Sequence, residues 1–320
     1  MITTSRFRPA WWLPGAHLQT LYPSLARRRI VPELHRERLE LPDGDFLDID
    51  WTCNTHGPVV LVLHGLEGSL ESHYTGGILA ALAAQGFRTG LMYFRGCSGE
   101  PNRLPRSYHS GETGNLQAVI RHIRNSSPDK SLAVIGYSLG GNVLLKWLGE
   151  QGNRATITTA IAVSVPFDLD RASRRLEQGL SRIYQSYLLK KLRQSVMSRA
   201  DLHPPMVPLQ KLSRLKTFRQ FDDAITAPLH GFRDVDDYYS QSSSRPYLRH
   251  IDVPVLIIHA LDDPFLPSDA IPKDAELSHA VTLELSRHGG HVGFVSGDNP
   301  LAAQYWLEGR ICNHLQACLE

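Results

Sequence analysis

The chain has 320 residues, 42% of them hydrophobic and 21% charged, enough for a large α/β fold whose core needs no disulfide staples. Lys and Arg total 34 against 32 Asp and Glu, a net charge of +2, a near balance that argues against a protein built mainly to grip nucleic acid. No apolar run reaches the ~18 residues of a membrane helix, and Met1-Ile2-Thr3-Thr4-Ser5-Arg6-Phe7-Arg8 opens no apolar leader. In chain order, residues 39–51 read as a hairpin of two half-apolar strands around Pro42-Asp43-Gly44. Residues 58–65 are a continuous apolar run ending in Gly, which predicts a strand buried on both faces of a parallel sheet. A helix follows over 74–85, then a strand over 87–94. Leu116, Val119, Ile120 and Ile123 place a helix over 113–124. Further strands are predicted at 132–136, 158–165, 253–258 and 281–285, with a helix from Asn142. Residues 300–319 read as one amphipathic helix beginning near Asp298-Asn299.

This alternation implies a doubly wound, mostly parallel sheet, whose ligands bind beyond the carboxyl ends of the strands. The rhythm breaks over residues 171–250, where no buried strand appears and 15 Lys and Arg face 7 Asp and Glu. An insertion of that length needs structure of its own. It is expected to be a helical cap over the active face, within a single domain spanning 1–320.

The strongest local signal is Gly136-Tyr137-Ser138-Leu139-Gly140. A buried strand runs into it and a helix runs out. That strand–turn–helix layout lifts a serine hydroxyl above the sheet edge, at a helix N-terminus that favours developing negative charge. A serine is a poor nucleophile until a base takes its proton. An acid and then a histidine are therefore sought further along the chain. The loop His259-Ala260-Leu261-Asp262-Asp263-Pro264 offers Asp263, with Asp262 as competitor in the same loop. The loop His288-Gly289-Gly290-His291 offers His291, because the double Gly lets the ring swing over the serine; His288 is the rival. Backbone N–H groups of Leu139 and of Leu66, in His64-Gly65-Leu66-Glu67-Gly68, are the expected oxyanion donors.

Other features point away from rival chemistries. Cys53, Cys97, Cys312 and Cys318 form no C-x-x-C pair, which leaves a zinc ribbon or thioredoxin-like site without support. Four thiols in a large core suggest a reducing compartment, expected to be the cytoplasm. Hydrolysis by a serine, a histidine and an acid calls for no metal or organic cofactor. Cys97 lies in the turn-rich loop 94–101, expected to border the site beside 106–111, but no histidine is placed to activate it. Trp11-Trp12 and the basic insertion raise a membrane-surface role; core packing of the tryptophans is the expectation.

These motifs together resemble the YheT-like group of α/β-hydrolases, bacterial relatives of abhydrolase-domain and embryogenesis-associated proteins. The resemblance runs from Phe7-Arg8-Pro9-Ala10-Trp11-Trp12-Leu13-Pro14-Gly15-Ala16-His17-Leu18-Gln19-Thr20 through Arg95-Gly96-Cys97-Ser98-Gly99 and Gly136-Tyr137-Ser138-Leu139-Gly140 to His291-Val292-Gly293-Phe294. It implies an α/β-hydrolase fold and a Ser-Asp-His triad at Ser138, Asp263 and His291. It also implies carboxylic-ester hydrolysis but supplies no substrate; the expected partner is a small-molecule ester, with an acyl lipid as the other candidate. Two alternatives stand beside that expectation. One is acyl transfer to an alcohol by the same triad. The other is a non-catalytic binding protein on a hydrolase fold.

Overall fold

The computed structural model describes residues 1–319. Its first half comprises β1 (Ile2–Thr4), α1 (Ala16–Ala26), β2 (Leu34–Glu40), β3 (Phe46–Thr52), β4 (Val59–Leu63), α2 (Thr75–Ala84), β5 (Arg88–Met92), α3 (Thr113–Ser126), β6 (Leu132–Tyr137), α4 (Leu139–Gln151) and β7 (Thr159–Val163). A helical stretch follows: α5 (Leu169–Leu176), α6 (Ser181–Ser198), α7 (Leu209–Leu212), α8 (Phe218–Phe221), a π turn (Asp222–Thr226), α9 (Ala227–Leu229) and α10 (Val235–Ser242). Strands β8 (Val255–Ala260) and β9 (Val281–Ser286), the short ribbon β10 (Val295–Ser296) with β11 (Gln304–Tyr305), and α11 (Trp306–Leu319) complete it.

Nine strands form one sheet in the order β1-β9-β8-β7-β6-β4-β5-β3-β2. Every pairing from β1 to β5 in that order is parallel. The hairpin strand β3 runs antiparallel to both β5 and β2. Alternation along β4 shows why its sequence is unbroken apolar. Val59, Leu61 and Leu63 pack with Leu116, Val119 and Ile120 of α3 and Leu144 of α4. Val60 and Val62 point the other way, against Ile78 and Leu82 of α2 and Ile311 of α11. With helices on both faces, no position of the strand can be polar. Because these strands are parallel, the loops after β4, β6, β7, β8 and β9 all open on the same sheet edge.

Two expectations need correction. Residues 300–319 are not one helix: a 3-10 turn (Pro300–Ala302) and β11 precede α11. Gln304 and Tyr305 pair with Ser296 and Val295 instead, and Gln19 holds that ribbon by accepting from the Val295 N–H (2.8 Å). The tryptophans are not both core residues either. Trp11 is 72% exposed and engages only its indole N–H, on the Asp298 carbonyl (3.1 Å). Among the described residues no helix is long and apolar enough to cross a membrane.

Candidate active site

Ser138 sits between β6 and α4 at φ 51°, ψ −115°, a conformation that non-Gly residues hold only when their surroundings impose it. Its N–H donates to the Val163 carbonyl at the end of β7 (2.8 Å), and its carbonyl accepts from Asn142 in α4 (3.0 Å). The flanking glycines are steric necessities. A Cβ on Gly140 would lie 2.6 Å from the His64 carbonyl oxygen, and one on Gly136 would lie 2.5 Å from that of Gly140. The hydroxyl is thereby held at the N-terminus of a thirteen-residue helix.

His291 meets it. The imidazole Nε2 lies 2.9 Å from Ser138 Oγ, and Nδ1 lies 2.9 and 3.1 Å from the two Asp263 oxygens. His291 is 8% exposed and Asp263 4%, so the series of contacts is nearly dry and each bond is stronger than it would be in water. Several groups fix this geometry. Phe265 stacks on the imidazole with centroids 3.8 Å apart and planes 9° from parallel. Its own N–H donates to Asp263 Oδ1 (2.8 Å). The His291 N–H donates to Thr20 Oγ1 of α1 (2.9 Å), and the Val292 N–H donates to Ser164 Oγ (3.0 Å). Phe265 and Ser164 carry no sequence signal of their own, and Thr20 stands at the end of the opening motif with no role attached; only their place in the fold brings them here. The rivals form a separate pair: Asp262 accepts from the Gly290 N–H (3.0 Å) and meets His288 Nδ1 (3.2 Å).

The loop after β4 faces the serine. A Cβ on Gly65 would come 3.4 Å from Ser138 Cβ. Along this loop the Gly65 N–H donates to Tyr74 Oη (2.8 Å), the Glu67 N–H to Tyr108 Oη (2.7 Å) and the Gly68 N–H to the Gly65 carbonyl (3.0 Å). The N–H groups of Leu66 and Leu139 find no partner among the described residues, and both residues line a cavity with Ser138. His64 supports the loop from beneath. Phe94 N–H donates to its Nε2 (3.2 Å), so the proton sits on Nδ1 and donates to the Gly65 carbonyl (2.7 Å). Burial pushes its pKa down to about 4 and keeps the ring neutral.

Ser138 opens on two cavities. The first, about 200 Å³, has mostly apolar walls from α5, α6 and α8, including Leu176, Leu192, Val196 and Phe221. The second, about 570 Å³, runs past His291 and carries charged and polar groups, among them Arg29, Glu71, His73 and Lys191. Of the two expected bordering loops, residues 107–110 line the first cavity. Loop 94–101 is tied instead to the hairpin through Arg95, whose guanidinium bonds Asp45 (2.6 Å) and Asp43 (2.7 Å). Burial raises the Cys97 thiol pKa well above its ordinary range, leaving a protonated and unreactive thiol. Among the described residues no three His, Cys, Asp or Glu side chains gather as metal ligands.

A serine, an imidazole and a carboxylate in hydrogen-bonded series, beside two unengaged N–H groups, can move a proton off the hydroxyl and accommodate an oxyanion. Residues 58–298 match the family described as alpha/beta hydrolase fold. The chain is 44% identical over 324 aligned residues to "Putative esterase YheT" of Escherichia coli (strain K12), covering 99% of this chain and 95% of that protein. It is 30% identical to mouse "Phospholipase ABHD3" over 315 residues, 95% of this chain and 77% of that one. Among solved structures, the Pyrococcus furiosus esterase Pf2001 superposes with a TM-score of 0.62 at 19% identity, over 92% of this chain and 97% of that one. That superposition speaks to the fold.

Proposed function

Since the chain belongs to the YheT-like α/β-hydrolase family, we propose that it is a serine hydrolase of carboxylic esters working through an acyl-enzyme. Ser138 Oγ attacks the ester carbon as its proton passes to His291 Nε2. The carbonyl oxygen becomes an oxyanion facing the Leu66 and Leu139 N–H groups. As the tetrahedral species collapses, the C–O bond to the leaving alcohol breaks and Nε2 returns the proton to that alcohol. A water then gives its proton to Nε2 and attacks the acyl carbon. The acid departs, and the serine regains its hydrogen. Asp263 keeps the other imidazole proton on Nδ1 throughout, so that Nε2 is free to accept. Each oxyanion donor is worth about 10²–10³ in rate.

The single observation behind this reading is the unbroken Ser138–His291–Asp263 series, with both junctions at 2.9 Å. The more apolar cavity suits an acyl chain, and the larger one, whose walls are mixed and carry charged groups, a leaving group. Residues 171–250 act as a cap over the first, and the substrate is a small ester or acyl lipid, in keeping with relatives named as esterase and phospholipase. Four free cysteines agree with a cytoplasmic setting. The test is a panel of p-nitrophenyl esters of graded chain length, run beside fluorophosphonate labelling. The wild type should hydrolyse and take up the label at Ser138, and Ser138→Ala should do neither. Equal labelling of both proteins removes Ser138 as nucleophile; no labelling of either favours a binding protein on this fold.

A further inference from the structure

We infer that Tyr74 and Tyr108 are positioning residues that select which N–H of loop 65–68 meets the reacting carbonyl, an inference resting on the hydrolase reading above. Three of the four N–H groups in this loop are occupied, those of Gly65, Glu67 and Gly68. The two that flank Leu66 are taken by phenol oxygens. The Leu66 N–H alone remains for substrate. The phenols are themselves anchored. Tyr74 stacks on Tyr137, the residue before the nucleophile (4.2 Å, 25°), and Tyr108 stacks on Phe94 after β5 (5.2 Å, 16°). Tyr108 grips Glu67 twice: its oxygen accepts from the Glu67 N–H, and its hydroxyl donates to Glu67 Oε1 (2.9 Å). That second bond holds Glu67 at φ 49°, a left-handed turn that a free Glu would leave. Without these acceptors the Gly65 and Glu67 N–H groups would be unsatisfied beside the cavity. The peptide planes would then turn to seek other partners, carrying the Leu66 N–H with them.

The experiment uses Tyr74→Phe and Tyr108→Phe in the full chain, which keep each ring and remove only the oxygen. Amide hydrogen exchange in a peptide covering residues 64–68 should accelerate at least tenfold. kcat should fall about tenfold in each variant with KM within twofold. Affinity for a trifluoromethyl ketone, which adds to the serine and creates an oxyanion, should fall by the same factor as kcat. A purely structural role would not make those two losses track each other. Unchanged exchange in both variants overturns the inference whatever the activity, and so does faster exchange with kcat intact. A wild type that takes up no fluorophosphonate at Ser138 overturns instead the hydrolase reading, and the catalytic half of this inference falls with it.

Discussion

Two adjacent carboxylates, Asp262 and Asp263, are separated by the partners they hold, and their amide variants should differ by orders of magnitude. Asp263 Oδ1 accepts from the Phe265 N–H (2.8 Å), while Oδ2 faces His291 Nδ1 (2.9 Å). In Asp263→Asn the amide oxygen keeps the Phe265 N–H, which turns the NH2 group toward Nδ1. Nδ1 must then accept, so the imidazole proton moves to Nε2 and points at Ser138 Oγ. The base becomes a donor where an acceptor is required. Wrong-tautomer imidazoles in serine enzymes lose about 10⁴ in kcat, equivalent to about 5.5 kcal/mol of transition-state stabilisation. Asp262 touches only the Gly290 N–H and His288, so Asp262→Asn should cost about fivefold or less through a looser base loop. The assay is saturation kinetics on p-nitrophenyl butyrate, with circular dichroism to show that both variants fold. An Asp263→Asn protein keeping a tenth of wild-type kcat, or an Asp262→Asn protein equally impaired, would refute the assignment.

A Cβ on Gly140 would lie 2.6 and 2.7 Å from the backbone oxygens of His64 and Leu63. Gly140→Ala should therefore lose about 3 kcal/mol or more in urea unfolding, and a wild-type midpoint would contradict this close packing. His259 in β8 is fully buried with neither ring nitrogen bonded, and burial lowers its pKa from 6.5 to about 4. The unfolded chain gains that proton below about pH 6.5 while the native state refuses it until about 4, so stability is lost as pH falls through this window. Between pH 7 and 5 the wild type should lose about 2 kcal/mol more than His259→Leu in urea titrations, and parallel losses would count against a neutral buried ring.

The sheet was legible because its helices cover both faces. Val59–Leu63 could be read as a buried strand with no knowledge of its neighbours, and the strand–Gly-x-Ser-x-Gly–helix order announced where a strained serine would sit. What escaped were contacts with no local signature. A helical pattern carries the C-terminal helix back through Gln304 and Tyr305, whose pairing partners lie across a turn. Strand β1, three residues long, exists only because β9 offers an edge to Ile2, Thr3 and Thr4. Tyr108 stands 41 residues from the N–H it binds, and Thr20 stands 271 from the His291 N–H. Such distances carry no periodicity, and only the finished packing reveals them.

The grip of the opening segment on the base loop has a consequence for how the protein comes into being. Thr20 holds His291, Gln19 takes both the N–H and the carbonyl of Val295, and the terminal ammonium bonds the Val281 carbonyl. Thr20 and Gln19 precede the family-matched region at 58–298. On a ribosome the serine's turn can take shape while the last third of the polypeptide is still being translated. Its imidazole cannot be seated until residues around 291 emerge and close on Gln19 and Thr20. On the proposed mechanism the nascent molecule is inert until this late clasp forms, and any cut that frees the first 26 residues should silence it while leaving the central sheet standing.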